Sequence, residues 1–231
     1  MLIDPYTTPP RTYTFASVRS TAITFGTALL STWSWQPSDV LLLFTPNCID
    51  TPAIMFGTHY AGGIVSPANP GYTAAELAFQ LKDSGAKAIV TQVPFLQTAV
   101  KAAREVGIPR ERILLMGEGR DKDGEFRHFS ELGKTSGGKG GEGAGAGGGY
   151  KRVKRNPGKD LAFLPYSSGT TGRPKGVMLS HTNVAANTLQ NVASESKNMT
   201  WQKDSLLAVL PFFHIYGMSL CHRVCFPLSW P

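Results

Sequence analysis

The chain has 231 residues, 42% of them hydrophobic and 10% aromatic, which is enough to bury a substantial core and excludes global disorder. A net charge of +7 is compatible with an anionic ligand, nucleic acid or a membrane surface, and demands none of them. Three cysteines (Cys48, Cys221 and Cys225) make no disulfide framework and point to a reducing, intracellular setting, cytoplasmic by default. No run approaches the ~18 consecutive apolar residues of a membrane-spanning helix. The opening "MLIDPYTTPP" lacks the basic-then-apolar layout of a signal peptide, and the closing "FPLSWP" matches no peroxisomal or retention signal.

In chain order, "DVLLLFTPN" (Asp39 to Asn47) is a short apolar run closed by turn residues, as a buried strand would be. "IDTPAIMFGTHYAGG" reads as a helix ending at glycine, and "IVSPANPG" as a strand entering a Pro/Gly loop. In "TAAELAFQLKDSG", Thr73 is followed three residues later by Glu76, a capping box that opens an amphipathic helix. "AKAIVT", "PFLQTAVKAAREVG" and "RILLMG" continue as strand, helix and strand. This alternation predicts an α/β fold, a parallel sheet covered by helices on both faces.

"SGGKGGEGAGAGGG" (Ser136 to Gly149) cannot bury apolar surface and reads as a flexible loop. Five basic residues follow between Lys151 and Lys159. They read first as a solvated basic loop; a nucleic-acid patch is the alternative. The alternation then resumes with an apolar strand, Leu161 to Leu164, and the stretch "YSSGTTGRPKGV". After it comes a helix, "SHTNVAANTLQNVASES", with Ser180 as its N-cap. "SLLAVLPFFHIYG" reads as a further strand running into an aromatic, histidine-bearing turn.

A strand, then a Ser/Thr/Gly loop, then lysine is a general solution for binding phosphate oxygens. Glycines let backbone N–H groups converge on the anion, hydroxyls add donors and lysine adds a mobile charge. The Walker pattern fails here, because the sixth position from Gly169 is Pro174 and Lys175 is followed by Gly176. The dinucleotide pattern G-x-G-x-x-G fails as well. "CHRVC" (Cys221 to Cys225) does not have structural-zinc spacing, and no metal site is expected from it.

Taken whole, "YSSGTTGRPKGV" closely resembles the phosphate-binding signature of the adenylate-forming (AMP-binding) acyl-CoA synthetase superfamily. That superfamily includes acyl-CoA synthetases, 4-coumarate–CoA ligases, luciferases and peptide-synthetase adenylation domains. "LPFFHIYG" (Leu210 to Gly217) is similar to its acyl-pocket turn. "TPNCIDTPAIMFGTHYAGGIVSPANPGYTAAELAFQLKDSGAKAIVT" is similar to its first nucleotide-domain repeat and is nearest to 4-coumarate–CoA ligase-like proteins.

The resemblance implies residues 1–231 as a partial large N-terminal domain, interrupted by the glycine-rich loop 136–149 and without the family's small C-terminal domain. It implies ATP-dependent activation of an aromatic or fatty carboxylic acid to an acyl-adenylate, then thioester formation, with ATP, Mg²⁺ and CoA. By the same resemblance, Ser167, Ser168, Gly169, Thr170, Thr171, Gly172 and Lys175 bind the phosphates. His214 and Tyr216 line the acyl and adenylate pocket, although on its own a histidine among Phe212, Phe213 and Ile215 reads as a core residue. Gly172 and Gly176 are expected to give the loop its freedom. A sheet without the family's later strands is expected to leave apolar surface uncovered. The alternatives are a non-catalytic remnant that binds nucleotide weakly and, behind it, a basic nucleic-acid-binding protein. The oligomeric state is not legible.

Overall fold

The computed structural model describes residues 1–133, 153–167, 172–195 and 204–219. The expected glycine-rich loop 136–149, the "CHRVC" stretch and Ser168, Gly169, Thr170 and Thr171 lie outside the described residues.

The chain opens with a short antiparallel pair, β1 (Leu2–Asp4) and β2 (Arg11–Tyr13), then helix α1 (Phe15–Trp33). Strand and helix then alternate: β3 (Val40–Phe44), α2 (Thr51–Tyr60), β4 (Ile64–Ala68), α3 (Ala74–Ser84), β5 (Ala86–Thr91), α4 (Leu96–Val106) and β6 (Ile113–Leu115). After the undescribed segment come β7 (Leu161–Phe163), a two-stranded hairpin of β8 (Tyr166–Ser167) and β9 (Lys175–Gly176), then β10 (Leu179–Ser180) and α5 (His181–Glu195). The main sheet has the order β10-β7-β4-β3-β5-β6, parallel except for β10, which pairs antiparallel with β7 at one edge.

Why β3 is central is visible in its residues. "VLLLF" is buried along its whole length, because alternate side chains enter two different cores. Leu41 and Leu43 join Phe25, Leu29, Ile54 and Met55 beneath α1 and α2. Val40, Leu42 and Phe44 join Leu77, Leu81, Ala99 and Ala102 beneath α3 and α4. The α3 capping box forms as expected: Thr73 Oγ1 accepts from the Glu76 amide, and Glu76 Oε2 accepts from the Thr73 amide. Ser180 likewise caps α5 by accepting from the Asn183 amide at 3.2 Å.

Helix α1 lies outside the elements expected from the sequence. Its run of Ser, Thr, Ile, Val and Phe has weak intrinsic helix preference, and packing supplies what propensity does not. The axis of α1 crosses α2 where Gly26 meets Gly57, and a Cβ on Gly26 would stand only 2.5 Å from the Gly57 carbonyl oxygen. The two glycines are what let the backbones touch.

The strand expected around 205–210 does not form; described residues 204–209 take no regular structure. A strand needs a lateral partner, and the β7 edge is already taken by β10. The basic cluster is also not uniformly solvated. The Arg155 side chain is only 10% exposed, lies against Gly62 and pairs with Asp160 at 3.8 Å. Large exposed apolar side chains cluster late in the chain, at Val177, Met178, Leu189, Leu206, Leu207 and Val209.

One buried carboxylate ties the first half together. Asp50, fully buried at the start of α2, accepts from the Arg11 guanidinium at 2.7 Å and the Tyr13 hydroxyl at 2.9 Å through Oδ1. Its Oδ2 accepts from the Gly117 amide at 2.9 Å, just beyond β6. The Cys48 thiol points at the same oxygen across 3.8 Å. Burial first, then the Asp50 charge, pushes the Cys48 thiol up to about 12 and the Tyr13 phenol up to about 12.

Two outcomes follow. Asp50→Ala leaves a partly buried guanidinium and amide without their acceptor and is expected to destabilise the protein by about 2 kcal/mol in urea titration. Cys48 holds its proton in the folded chain to about pH 12, against an ordinary value of 9.0, so its contribution to stability is complete below pH 9 and declines from there toward 12. Its native thiol is therefore expected to resist iodoacetamide at about pH 8.5 and to react on unfolding, as read by peptide mass spectrometry.

Candidate functional site

The helix after β3 packs on one face of the sheet and the helix after β4 on the other. Adjacent parallel strands whose connections part in this way leave a crevice at their carboxyl ends, which is where ligands bind in open α/β sheets. The segments that carry the sequence-predicted site residues arrive at this edge.

The first is the hairpin of β8 and β9, which carries the residues expected to bind phosphate. Strand β7 runs parallel to β4, and Leu164 continues the pairing by donating its amide to the Val65 carbonyl at 2.9 Å. The Ser66 hydroxyl donates to the Leu164 carbonyl at 2.9 Å and fixes the chain where it leaves the sheet. Antiparallel pairing of β8 with β9 then sets Ser167 directly opposite Lys175, both exposed. A hydroxyl donor and an ammonium are thus brought side by side at the neck of the glycine loop.

Gly172 has φ +127°, a conformation that only glycine adopts readily. Gly176 suits its place for a different reason than loop freedom. The Tyr166 ring lies over it, and a Cβ there would stand 3.2 Å from the ring. The Tyr166 hydroxyl donates to Asp83 Oδ2 on α3 at 2.5 Å, and burial together with that carboxylate raises the phenol above its ordinary range.

The second segment is the aromatic turn. Asn47, just past β3, grips it with both ends of its amide. Nδ2 donates to the carbonyls of Ala208 and Leu210, each at 2.9 Å, and Oδ1 accepts from the Phe212 amide at 2.7 Å. These bonds take the place of the missing strand ladder around 205–210. Phe212 and Phe213 thereby enter the crevice among Leu43, Thr45, Thr51, Met55 and Pro67, where they leave a cavity of only about 10 Å³. The chain then folds back so tightly that any side chain at position 217 would collide with the Pro211 carbonyl, which accounts for Gly217. Met218, 2% exposed, anchors the turn in the core beneath α1 and α2.

His214 and Tyr216 are exposed, Tyr216 at 63%. The reading of His214 as a core residue is therefore corrected: its aromatic neighbours Phe212 and Phe213 turn inward, and His214 starts the next helical turn, accepting the Met218 amide on its carbonyl at 2.9 Å. Its ring Nδ1 lies 3.4 Å from the Tyr216 amide. Sequence reasoning missed Asn47 and Asp83. Asn47 follows Pro46 at a strand end and reads locally as an ordinary turn residue. Asp83 reads as a solvated helix position.

Replacing Asn47 by alanine removes three long-range hydrogen bonds at once. The expected outcome is faster amide exchange at residue 212 and around it, with overall stability lowered by about 1–2 kcal/mol. Hydrogen-exchange mass spectrometry separates that local release from global unfolding.

Comparison with known proteins bears on this arrangement directly. The profile of the AMP-binding enzyme family matches residues 2–227. The chain is 34% identical over 221 residues to a 4-coumarate–CoA ligase of Pinus taeda, covering 94% of this chain and 37% of that protein. It is also 34% identical over 210 residues to 4-coumarate–CoA ligase 1 of Solanum tuberosum, covering 90% of this chain and 35% of that one. A long-chain-fatty-acid–CoA ligase from Archaeoglobus fulgidus superposes with TM-score 0.73 at 25% identity, over 91% of this chain and 38% of that one. ATP-bound MatB from Rhodopseudomonas palustris superposes with TM-score 0.67 at 27% identity, over 90% of this chain and 37% of that one. The chain thus spans little more than a third of the length of the curated relatives it matches. With a family match that runs through both the phosphate hairpin and the aromatic turn, the chain belongs to the AMP-binding enzyme family.

Proposed function

We propose that this chain supplies the phosphate-binding and acyl-binding edge of an AMP-forming acid–CoA ligase. The observation that carries the reading is the hairpin that sets Ser167 against Lys175 at the carboxyl edge of the sheet, within a family-wide match. Residues 1–231 act as part of one adenylation domain. The compartment is intracellular, as cysteine usage suggests. Among the described residues no helix is long and apolar enough to cross a membrane.

A carboxylate does not react directly with a thiol, because its oxygen is a poor leaving group. Its attack on the α-phosphate of ATP forms the acyl–phosphate bond and expels pyrophosphate; AMP then becomes the leaving group for CoA. Such chemistry depends on positioning and charge stabilisation. Lys175 and the hydroxyls of Ser167, Ser168, Thr170 and Thr171 would hold the β- and γ-phosphates, with Gly169 and Gly172 admitting the backbone to them. His214 and Tyr216 would face the acyl-adenylate from the aromatic turn. The similar MatB structure is described as ATP-bound, which supports ATP as the nucleotide here. Mg²⁺ would arrive on the phosphates of ATP; among the described residues no three His, Cys, Asp or Glu side chains converge on a cation. The 4-coumarate and fatty-acid ligases among the relatives support an aromatic or fatty acid as substrate.

ATP–pyrophosphate exchange over a panel of aromatic and fatty acids tests the proposal. Acid-dependent exchange is expected, falling at least tenfold in Lys175→Ala while the thermal midpoint holds, because Lys175 is exposed. Absence of exchange with every acid, with pyrophosphate still bound, would establish the non-catalytic alternative instead.

A further inference from the structure

One face of α3 meets the phosphate hairpin at both of its feet. Phe79 and Asp83, four residues apart, share that face. Asp83 accepts from the Tyr166 hydroxyl on β8, and the Arg173 guanidinium, two residues ahead of β9, sits 5.5 Å from the centre of the Phe79 ring. Between them in sequence, Gln80 turns inward, 1% exposed. Its Nε2 donates to Ser66 Oγ at 2.9 Å and to the Pro67 carbonyl at 3.1 Å, and that same Ser66 hydroxyl holds the Leu164 carbonyl. A single helix therefore fixes the exit of β7, the first foot of the hairpin and the second. Gly176 completes the seat by letting Tyr166 lie flat across the opposite strand.

We propose that α3 is the positioning element of the phosphate loop, with Asp83 and Phe79 holding the hairpin stem at the angle that presents Ser167 and Lys175 to a pyrophosphate group. This rests on the phosphate-binding reading above. Neither side chain touches the ligand; each acts through the stem. A stem that already holds Ser167 and Lys175 in place loses less conformational freedom when those two side chains engage an anion, so a preset stem strengthens binding with no contact of its own. The Tyr166–Asp83 bond is exposed, so its effect is expected in the ordering of the stem more than in overall stability.

Titration calorimetry of the full chain with magnesium pyrophosphate tests this. Tyr166→Phe keeps the ring over Gly176 and loses only the hydroxyl; it and Asp83→Ala should each weaken binding by roughly three- to tenfold. The double variant should bind no more weakly than the weaker single one, since both remove the same bond. Asp83→Asn retains an acceptor oxygen and should stay within about twofold of the unaltered chain. A simple loss of structure would lower the thermal midpoint of all the variants and would not be restored by asparagine. Variants that bind as the unaltered chain does, or losses that add independently, would overturn the proposal. Failure of the unaltered chain itself to bind pyrophosphate would overturn the phosphate-loop reading, and this one with it.

Discussion

Asp50 occupies a turn on which most of the molecule converges, and its carboxylate can be buried only because four groups meet it there. Arg11 and Tyr13 come from the N-terminal strand pair, the Gly117 amide from the far edge of the sheet, and Cys48 from the same turn. A buried carboxylate without such partners would cost several kcal/mol, so the N-terminal strands, the start of α2 and the segment after β6 are held in one relative position. Three residues earlier in that turn, Asn47 takes hold of the aromatic segment. One short connection thus secures the scaffold on its inner side and the candidate pocket on its outer side.

The same economy governs the phosphate hairpin. The sheet edge offers no strand long enough to brace it, and β8 and β9 pair over only two residues each. A two-stranded ribbon of that size is not stable alone. Its bracing comes from α3 through Tyr166, Arg173 and the buried Gln80–Ser66 contact. Helix α3, which covers one face of the sheet, also holds the hairpin stem at the sheet's end.

The alternation of strands and helices from Val40 to Leu115 was legible because each strand is a short apolar run bounded by turn residues and α3 opens on the Thr73–Glu76 box. Helix α1 was not, although Thr14 caps it, because its Ser, Thr and β-branched run has weak helix preference and its close packing on α2 across Gly26 and Gly57 is a tertiary contact. The run from Ser205 has strand-like composition and still forms no strand; its carbonyls at Ala208 and Leu210 are taken by the Asn47 amide instead. At the site, Ser167, Gly172 and Lys175 could be singled out by residue type and spacing. Asn47, Gln80 and Asp83 could not, since each looks like an ordinary polar residue until its partner, far away in sequence, is beside it.

By itself the sequence determined the α/β alternation, the buried character of β3 and the phosphate-loop signature, all of which depend on neighbours within a few positions. The tertiary structure alone decided that Ser167 stands opposite Lys175, that Phe212 and Phe213 turn into the crevice while His214 stays at the surface, and that Gly176 answers to the Tyr166 ring. Those outcomes are hydrogen bonds and close approaches between segments up to 165 residues apart, and no local pattern encodes which distant partner a polar side chain will meet.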